Sequence, residues 1–444
     1  MPRSLTPDIL VLGAGIAGLS AARALAESGA HVALLEARDR VGGRVHSVRH
    51  PACDLPFELG AEFVHGVPPE LHALIHEAGL TLFEREGEHA CFENGASADC
   101  EDGRGFSLLE QMTGEPDETF AEWIAAQHAP GQAAAWLTGY VEGFNAADAG
   151  VIGTAALVKQ QQAEEAIEGG RAFRVQEGYQ RLAEFLCERF VAAGGELHLQ
   201  NAVQRVEWQP GSVRVTTRPS PESGTPDYSW NRHPVHTTVF EAPRCVVALP
   251  LGVLQSHRAL IAPDPPVAGA AFRRMAMGTA VRISLLFREA FWRDRFPDVS
   301  FFFTRDLTPG VWWTTSPRTD PVLTAWVGGP RALGIPAEMD LFQDLALNAL
   351  ARIFGRHPET LRPLLVASFA HDWQSDPYSR GAYSYAPKGA LHASDDLAQP
   401  VEETLFFAGE HTDTTGHWGT VHGALRSGLR AASQALAPAG TARS

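Results

Sequence analysis

An α/β fold built round a dinucleotide-binding βαβ unit is predicted by three features near the N-terminus. An apolar run, Ile9 to Leu12, reads as a buried strand. Gly13-Ala14-Gly15-Ile16-Ala17-Gly18 follows it directly. An Ala/Leu-rich segment to Ser28 then leads through Gly29 to a second apolar run that ends at Glu36. Gly13 permits a tight turn, Gly15 lets a pyrophosphate approach the backbone, and Gly18 lets helix and strand pack closely. The free N–H groups and positive dipole end of the helix face the phosphates, with Ala17 in the same turn. Glu36 is placed to accept hydrogen bonds from a ribose 2′-OH, which argues against a 2′-phosphate there. NAD and FAD both fit this unit.

A chain of 444 residues is long for a single core, so two domains are expected. Apolar residues at 45% and charged residues at 20% are ordinary for a globular protein. A formal charge of −16 argues against nucleic-acid binding, which needs a basic patch. Cys53, Cys91, Cys100, Cys187 and Cys245 are scattered and odd in number, a pattern that suggests reduced thiols in a cytoplasm-like compartment. MPRSLTPD reaches the first strand at once, and no apolar stretch is long enough to span a bilayer. The expectation is a cytoplasmic protein, monomer or homodimer, with no membrane partner.

Gly42-Gly43-Arg44 makes a second close-approach loop, with a guanidinium fork suited to phosphate oxygens. From Pro68 to Val175 the pattern becomes amphipathic helices: 70–78, 117–127, 132–144 and 155–168. A helix over 179–193 ends at Gly194-Gly195, and a strand over 196–199 follows. Strands over 203–208, 213–217 and 237–240 read as a meander, with 218–235 a polar surface loop. Cys245 to Leu254 reads as a buried strand stopped by Pro250, and a sheet begins at Met277 to Phe287. Phe291-Trp292, Phe301 to Phe303 and Trp312-Trp313 are aromatics at strand spacing, more often core than pocket lining. A helix over 340–354 closes this part. His411, His417 and His422 lack a carboxylate or Cys to complete a ligand set, so no metal site is expected.

These blocks, in this order, resemble the flavin-containing amine oxidase family, from Asp8 to about Ala432. The Arg38 to Arg44 segment is similar to the one that directly follows the family's first nucleotide motif, with Ala37 and Arg38 beside it. Phe57 to Gly66 resembles the block that brings Gly60, Ala61 and Glu62 against the flavin ring. CVVALPLGVL resembles the family's TLPLGVL strand. Trp373 to Tyr385 matches the WxxDPYxRGxYSY block of the polyamine-oxidase and lysine-demethylase branch. The resemblance implies a Rossmann-like, GR2-type FAD-binding domain assembled from 1–80, 176–255 and 388–436. An α+β substrate domain, a mixed sheet flanked by helices, would comprise 81–175 and 256–387, with 437–444 a tail. It also implies that Val203 holds the adenine through its backbone and that Trp373 contacts the cofactor. Gly409 and Glu410 would lie by the ribityl and pyrophosphate, and Thr420 and Val421 under the pyrimidine end at a helix start.

For catalysis, the resemblance points to Tyr383 flanking the substrate amine in front of the flavin. His65 either faces the substrate or is a hydrogen-bonded structural histidine. Arg282 stands where most of the family has a lysine linked through water to flavin N5. Arginine stays protonated where lysine can lose its charge, so the swap is not conservative. Strand alternation could instead turn Arg282 outward. Ala382 replaces the Cys that attaches FAD covalently in mitochondrial-type monoamine oxidases, so FAD is expected to be non-covalent. Thr420 replaces the second cage tyrosine of those enzymes. The expected activity is FAD-dependent oxidation of a primary or secondary amine or a polyamine, by hydride transfer to N5, with oxygen reduced to hydrogen peroxide. Two alternatives stay open: an L-amino-acid oxidase of the same superfamily, with Arg282 or another Arg pairing with the substrate carboxylate, and a flavin-binding protein with little turnover.

Overall fold

The computed structural model describes residues 6–98, 100, 107–129, 131–220, 237–257 and 259–437. Strand Ile9–Leu12 is apolar and buried throughout, as befits a central strand with parallel neighbours on both sides. It lies third in a five-stranded parallel sheet ordered Glu196–His198, Val32–Leu35, Ile9–Leu12, Arg244–Val247 and Leu405–Phe407. The chain leaves Ile9–Leu12 toward one edge and returns on its other side at Arg244–Val247. The carboxyl ends of those two strands therefore flank a topological switch point, where such sheets open a ligand crevice. Helix Ile16–Glu27 packs against the C-terminal helix, Val421–Leu436. A Cβ at Gly428 would stand 2.1 Å from Ala17 O, so the two helices cross with no room for a side chain there.

A seven-stranded mixed sheet forms the second layer system. Its order is Leu365–Phe369, Ala280–Phe287, Val322–Gly328, Val311–Trp313, Val299–Thr304, Glu88–Glu93 and Ala96–Ala98. Helix Met339–Ile353 covers one face, burying Ile283, Leu285, Phe302 and Trp312. Period-two alternation sends their neighbours to the opposite face, so Arg282, Phe301, Phe303 and Trp313 line a cavity. The aromatic clusters therefore divide between core and cavity residue by residue.

Several expectations need correction. The region 68–175 is not purely helical: Glu88–Glu93 and Ala96–Ala98 complete the mixed sheet, and Leu82–Glu84, Ala172–Val175 and Phe63–His65 form a small sheet of their own. Partners distant in sequence supply the pairing, which local periodicity cannot reveal. The buried strand at Cys245 stops at Val247, and Pro250 starts a short helix, Leu251–Ser256, instead of merely ending a strand. Leu260, Ile261, Ala271, Phe272 and Met275 pack under the parallel sheet, so that half of the molecule continues past residue 255. Most of the expected 218–235 loop and the 437–444 tail lies outside the described residues, although Arg218 and Pro219 end strand Ser212–Pro219. Cys91 and Cys100 form a disulfide, against the expectation of five free thiols. The hairpin formed by Glu88–Glu93 and Ala96–Ala98 turns the chain back and brings the two Cα atoms to 5.3 Å. Cys53, Cys187 and Cys245 are free. Among the described residues no helix is long and apolar enough to cross a membrane.

Candidate active site

One continuous cavity of about 1530 Å³ runs from the switch point of the parallel sheet to the face of the mixed sheet. Binding pockets for single small ligands typically reach ~1,000 Å³. The room thus exceeds what one small substrate needs.

At the sheet end the walls are mostly backbone. Helix Ile16–Glu27 starts at Gly15 with no side-chain cap, so its first amides remain available to a ligand. A Cβ built on Gly15 would meet no atom within 4 Å, whereas one on Gly43 would stand 3.3 Å from Gly15 Cα. The two glycine loops thus face each other, with Gly15 bridged to Gly42. Gly18 does not line the cavity; a Cβ there would sit 1.8 Å from Gly13 O, so its task is close packing. Glu36 is buried, and its oxygens accept the Ala14 amide at 2.7 Å and the Arg38 amide at 2.8 Å. Those bonds fix the carboxylate at the cavity wall, with lone pairs left for a ribose hydroxyl. Arg38 donates to Asp376 at 2.7 Å and lies over the Tyr378 ring. Ala17, Ala37 and Val203 complete this end of the wall.

Midway, Arg44 Nη1 donates to Glu410 at 2.9 Å and to the Ala382 carbonyl at 2.6 Å. Arg44 is thus held at one terminal nitrogen by Glu410 and the Ala382 carbonyl. The other Glu410 oxygen receives Ser384 Oγ at 2.6 Å and the Gly419 amide at 2.9 Å, and the Arg44 charge helps hold this buried carboxyl below its usual range despite burial. Gly409 has φ +134, and a Cβ there would strike the His411 ring at 2.5 Å. Gly60 is equally constrained, because a Cβ would lie 1.8 Å from Arg44 O, and Trp373 Nε1 donates to Leu59 O alongside. Ala61 lies between Gly60 and Glu62 on this wall.

Arg282 is 5% exposed and lines the cavity, so strand alternation turns it inward. Its Nη2 donates to Glu62 at 2.6 Å and its Nη1 to the Gly60 carbonyl at 3.0 Å, while Nε has no partner. Glu62 also pairs with Arg174 at 3.1 Å and accepts from Trp313 Nε1 at 3.2 Å. Burial opposes its charge, yet Arg174, Arg282 and Arg85 together hold it below the ordinary carboxylate range. Arg174, Arg85 and Trp313 carry no motif and were not anticipated. Arg174 and Trp313 contact Glu62 from separate strands, while Arg85 acts on it through its charge, its Nη2 donating to Ser300 O.

Beyond this cluster the cavity becomes a side-chain-lined chamber. Tyr383 stacks near Trp326 (centroids 6.5 Å apart, 12° between planes), and its hydroxyl donates to Phe144 O at 2.6 Å. Burial raises the phenol pKa, so the ring offers an apolar face and not an acid. His65 contacts Phe63 and Phe144 edge-on; burial pushes its pKa down to about 4, leaving it neutral. Thr420 caps the C-terminal helix, accepting from the Gly423 amide at 3.0 Å, and Val421 is its first helical residue. Trp136, Tyr140 and Phe144 stack along one face of helix Gly131–Asn145, with centroids 6.0 and 5.8 Å apart. Their spacing of four residues was a readable helical stripe, but nothing in it distinguished chamber from core.

The metal expectation was argued on a wrong premise: Glu164 does complete a set with His417 and His422, the ligand atoms lying within 4.8 Å of one another. His417, however, has both nitrogens engaged. Nδ1 receives Arg426 at 2.8 Å and Nε2 reaches the Ala163 carbonyl at 3.1 Å. Two free groups remain, two short of a closed site and one short of an open one.

A glycine-turn cradle opening into a lined chamber defines a dinucleotide-binding protein with an adjoining ligand room. Residues 16–436 match the family of flavin containing amine oxidoreductases, and the chain belongs to that family. Among curated relatives, polyamine oxidase 2 of Arabidopsis thaliana is 30% identical, with 97% of this chain and 88% of that protein covered. Putrescine oxidase of Kocuria rosea is 28% identical over 97% of this chain and 95% of that protein. A wild-type putrescine oxidase structure with putrescine bound superposes with a TM-score of 0.78 at 23% identity, covering 97% of this chain and 99% of that one. The protein is an amine-oxidising flavoenzyme with FAD as cofactor. The uncapped helix amides, open Gly15 and paired glycine loops fit that group.

Proposed function

We propose that the chain oxidises a primary or secondary amine to its imine, which hydrolyses to the aldehyde, with oxygen as electron acceptor and FAD held without a covalent bond. The observation that carries this reading is the continuity of the cavity: a dinucleotide cradle and the Tyr383–Trp326 aromatic pair share one room. When bound, FAD accepts a hydride equivalent from the amine carbon and passes the electrons on. Gly15, Gly42, Gly43 and Val203 would hold its nucleotide half, and Gly60, Ala61, Glu410 and Val421 its flavin half. Ala382 offers no thiol for a thioether. Tyr383 presents a fixed ring face that steers an amine nitrogen, its hydroxyl already spent on Phe144 O. Neutral His65 adds no charge to repel the amine. The chamber positions and desolvates the substrate; no acid–base pair is required.

Arg282 contributes a fixed cation. The amino-acid-oxidase alternative would have it or another Arg receive a substrate carboxylate, but the Arg282 charge is already paired with the Glu62 carboxylate, which disfavours Arg282 in that role. The test is anaerobic mixing of the holoenzyme with a panel of amines and amino acids. Amines should bleach the flavin absorbance while amino acids leave it unchanged. Bleaching by amino acids alone would overturn the reading, and bleaching by none would favour a flavin-binding protein with little turnover.

A further inference from the structure

Glu58 closes strand Cys53–Glu58 and is 3% exposed. It does not line the large cavity. It faces a second one of about 10 Å³, room for one water molecule. The walls of this small cavity are polar for so buried a place: Glu58, Arg174, Arg282, Ser284 and Thr324 share it with a few apolar side chains. Ser284 follows Arg282 by two on strand Ala280–Phe287, so the two share a face, and Ser284 Oγ meets Thr324 Oγ1 across the sheet at 2.9 Å. Among the described residues Arg282 alone lines both cavities, so it is the partition between Glu58 and the chamber. Its Nε finds no acceptor in the protein. One water in the small cavity would accept that proton and donate in turn to the oxygens around it.

Glu58 is balanced between two states by opposing neighbours. Burial disfavours its charge, and so does Glu62; Ser47 Oγ at 2.6 Å, the Tyr179 amide at 2.9 Å and the Arg174 charge favour it. Arg174 links the two carboxylates, pairing with Glu62 at 3.1 Å while it lines the Glu58 cavity. The Tyr179 phenol is held protonated by burial, with the Glu58 charge adding to the effect. Arg85, Arg174 and Arg282 thus act on Glu62 as permanent cations, and Glu58 is the member of the cluster whose charge can change. Buried charges are weakly screened, so negative charge arriving on the chamber side of Arg282 favours the protonated form of Glu58.

We propose that Glu58 is a positioning residue for the flavin reaction, acting through Arg174 and Arg282: it takes up a solvent proton when the flavin beyond Arg282 is reduced and releases it on reoxidation. The inference rests on the reading that places the flavin against Arg282. Two electrons and one proton reach FAD as a hydride equivalent, which adds one negative charge; one proton from water then binds a Glu58 oxygen. Glu58 touches neither substrate nor flavin. It keeps the charge of the buried cluster matched to that of the cofactor in each half of the cycle.

The experiment measures the reduction potential of the FAD-loaded enzyme from about pH 6 to 9, by dithionite titration against a reference dye with no amine present. A second proton bound on reduction makes the potential fall up to about twice as steeply with pH as one proton does. Burial holds Glu58 at about 7, so the steep segment should begin near neutral pH and extend upward. Glu58→Gln should lose that segment. Ser47→Ala removes a donor that favours the ionised carboxylate, so the segment should move to higher pH. Glu164→Gln, which changes a different buried carboxylate, should leave it in place. The flavin spectrum shows whether each variant has folded and loaded, and Ser47→Ala decides the matter if Glu58→Gln takes up no FAD. Parallel lines for wild type and Glu58→Gln would overturn the proposal. So would a segment that vanishes in Glu164→Gln or stays in place in Ser47→Ala. Because dithionite supplies the electrons, failure of every amine to bleach the flavin would remove the amine-oxidase reading and leave this result standing.

Discussion

Two carboxylates in the wall of one cavity meet opposite fates. Glu62 is enclosed by Arg282, Arg174 and Trp313, and the arginines keep it ionised in spite of complete burial. Glu164 has no partner at Oε2, and burial raises its pKa to about 7, with only the Arg426 charge opposing. The Glu62 end of the cavity has its countercharges built in. The Glu164 end leaves a buried carboxylate oxygen without a partner. A buried ion network of the first kind is costly to disturb, because removing one member strands the others.

The comparison breaks most visibly at Glu62. Glu62→Gln leaves Arg282 and Arg174 buried without a countercharge, and unfolding by urea should show a loss of about 3–5 kcal/mol. The same experiment on Glu164→Gln should show no such loss at neutral pH, since it removes an unpaired buried charge. A loss below about 1 kcal/mol for Glu62→Gln would mean that water or relaxation screens the arginines, and the contrast would fall.

The pH dependence sharpens it. The folded-state pKa of Glu164 is raised from 4.5 to about 7, so between those values the native state holds a proton that the unfolded chain has released. Its contribution to stability is therefore full below pH 4.5 and is lost as pH rises towards 7. Glu58, also raised to about 7 by burial, acts in the same direction. Arg426, Tyr140, His417 and His422 are the titratable groups around Glu164. In urea titrations of the holoenzyme from pH 4.5 to 7.5, Glu164→Gln should flatten the decline by ~1–3 kcal/mol. An unchanged slope would place Glu164 in contact with solvent.

The cradle was legible in the sequence because backbone geometry demands particular residues there. Gly13, Gly15 and Gly43 mark turns or close approaches that a side chain would obstruct, and they stand in one short stretch. Resemblance added the distant pieces, Gly60, Gly409 and Val421, which the fold brings to the same cavity. The chamber was much less legible. Arg174 reaches Glu62 only because strands distant in sequence pair, and Glu164 meets His422 across more than half the chain. Arg282 could be named but not oriented until alternation along Ala280–Phe287 was fixed by the buried Ile283 and Leu285. The Cys91–Cys100 bond escaped for a related reason: the hairpin that joins the two cysteines lies between the expected helices 70–78 and 117–127, where no strand is read.

The smallest effect concerns Thr420, which resemblance places beside the substrate and the structure also makes a helix cap. Its hydroxyl accepts from the Gly423 amide at 3.0 Å and donates to the His417 carbonyl at 2.8 Å, so both hydrogen-bonding roles are occupied inside the protein. The cap fixes the first turn of the 16-residue helix Val421–Leu436, whose N-terminal dipole end points into the cavity and whose second residue is His422. Thr420→Ala should therefore cost about 1 kcal/mol, while Thr420→Ser retains the cap and stays near wild type. A substrate-contact role predicts another pattern: serine and alanine variants with similar stability but distinct KM for every amine. Measuring stability and KM on the three proteins separates the two.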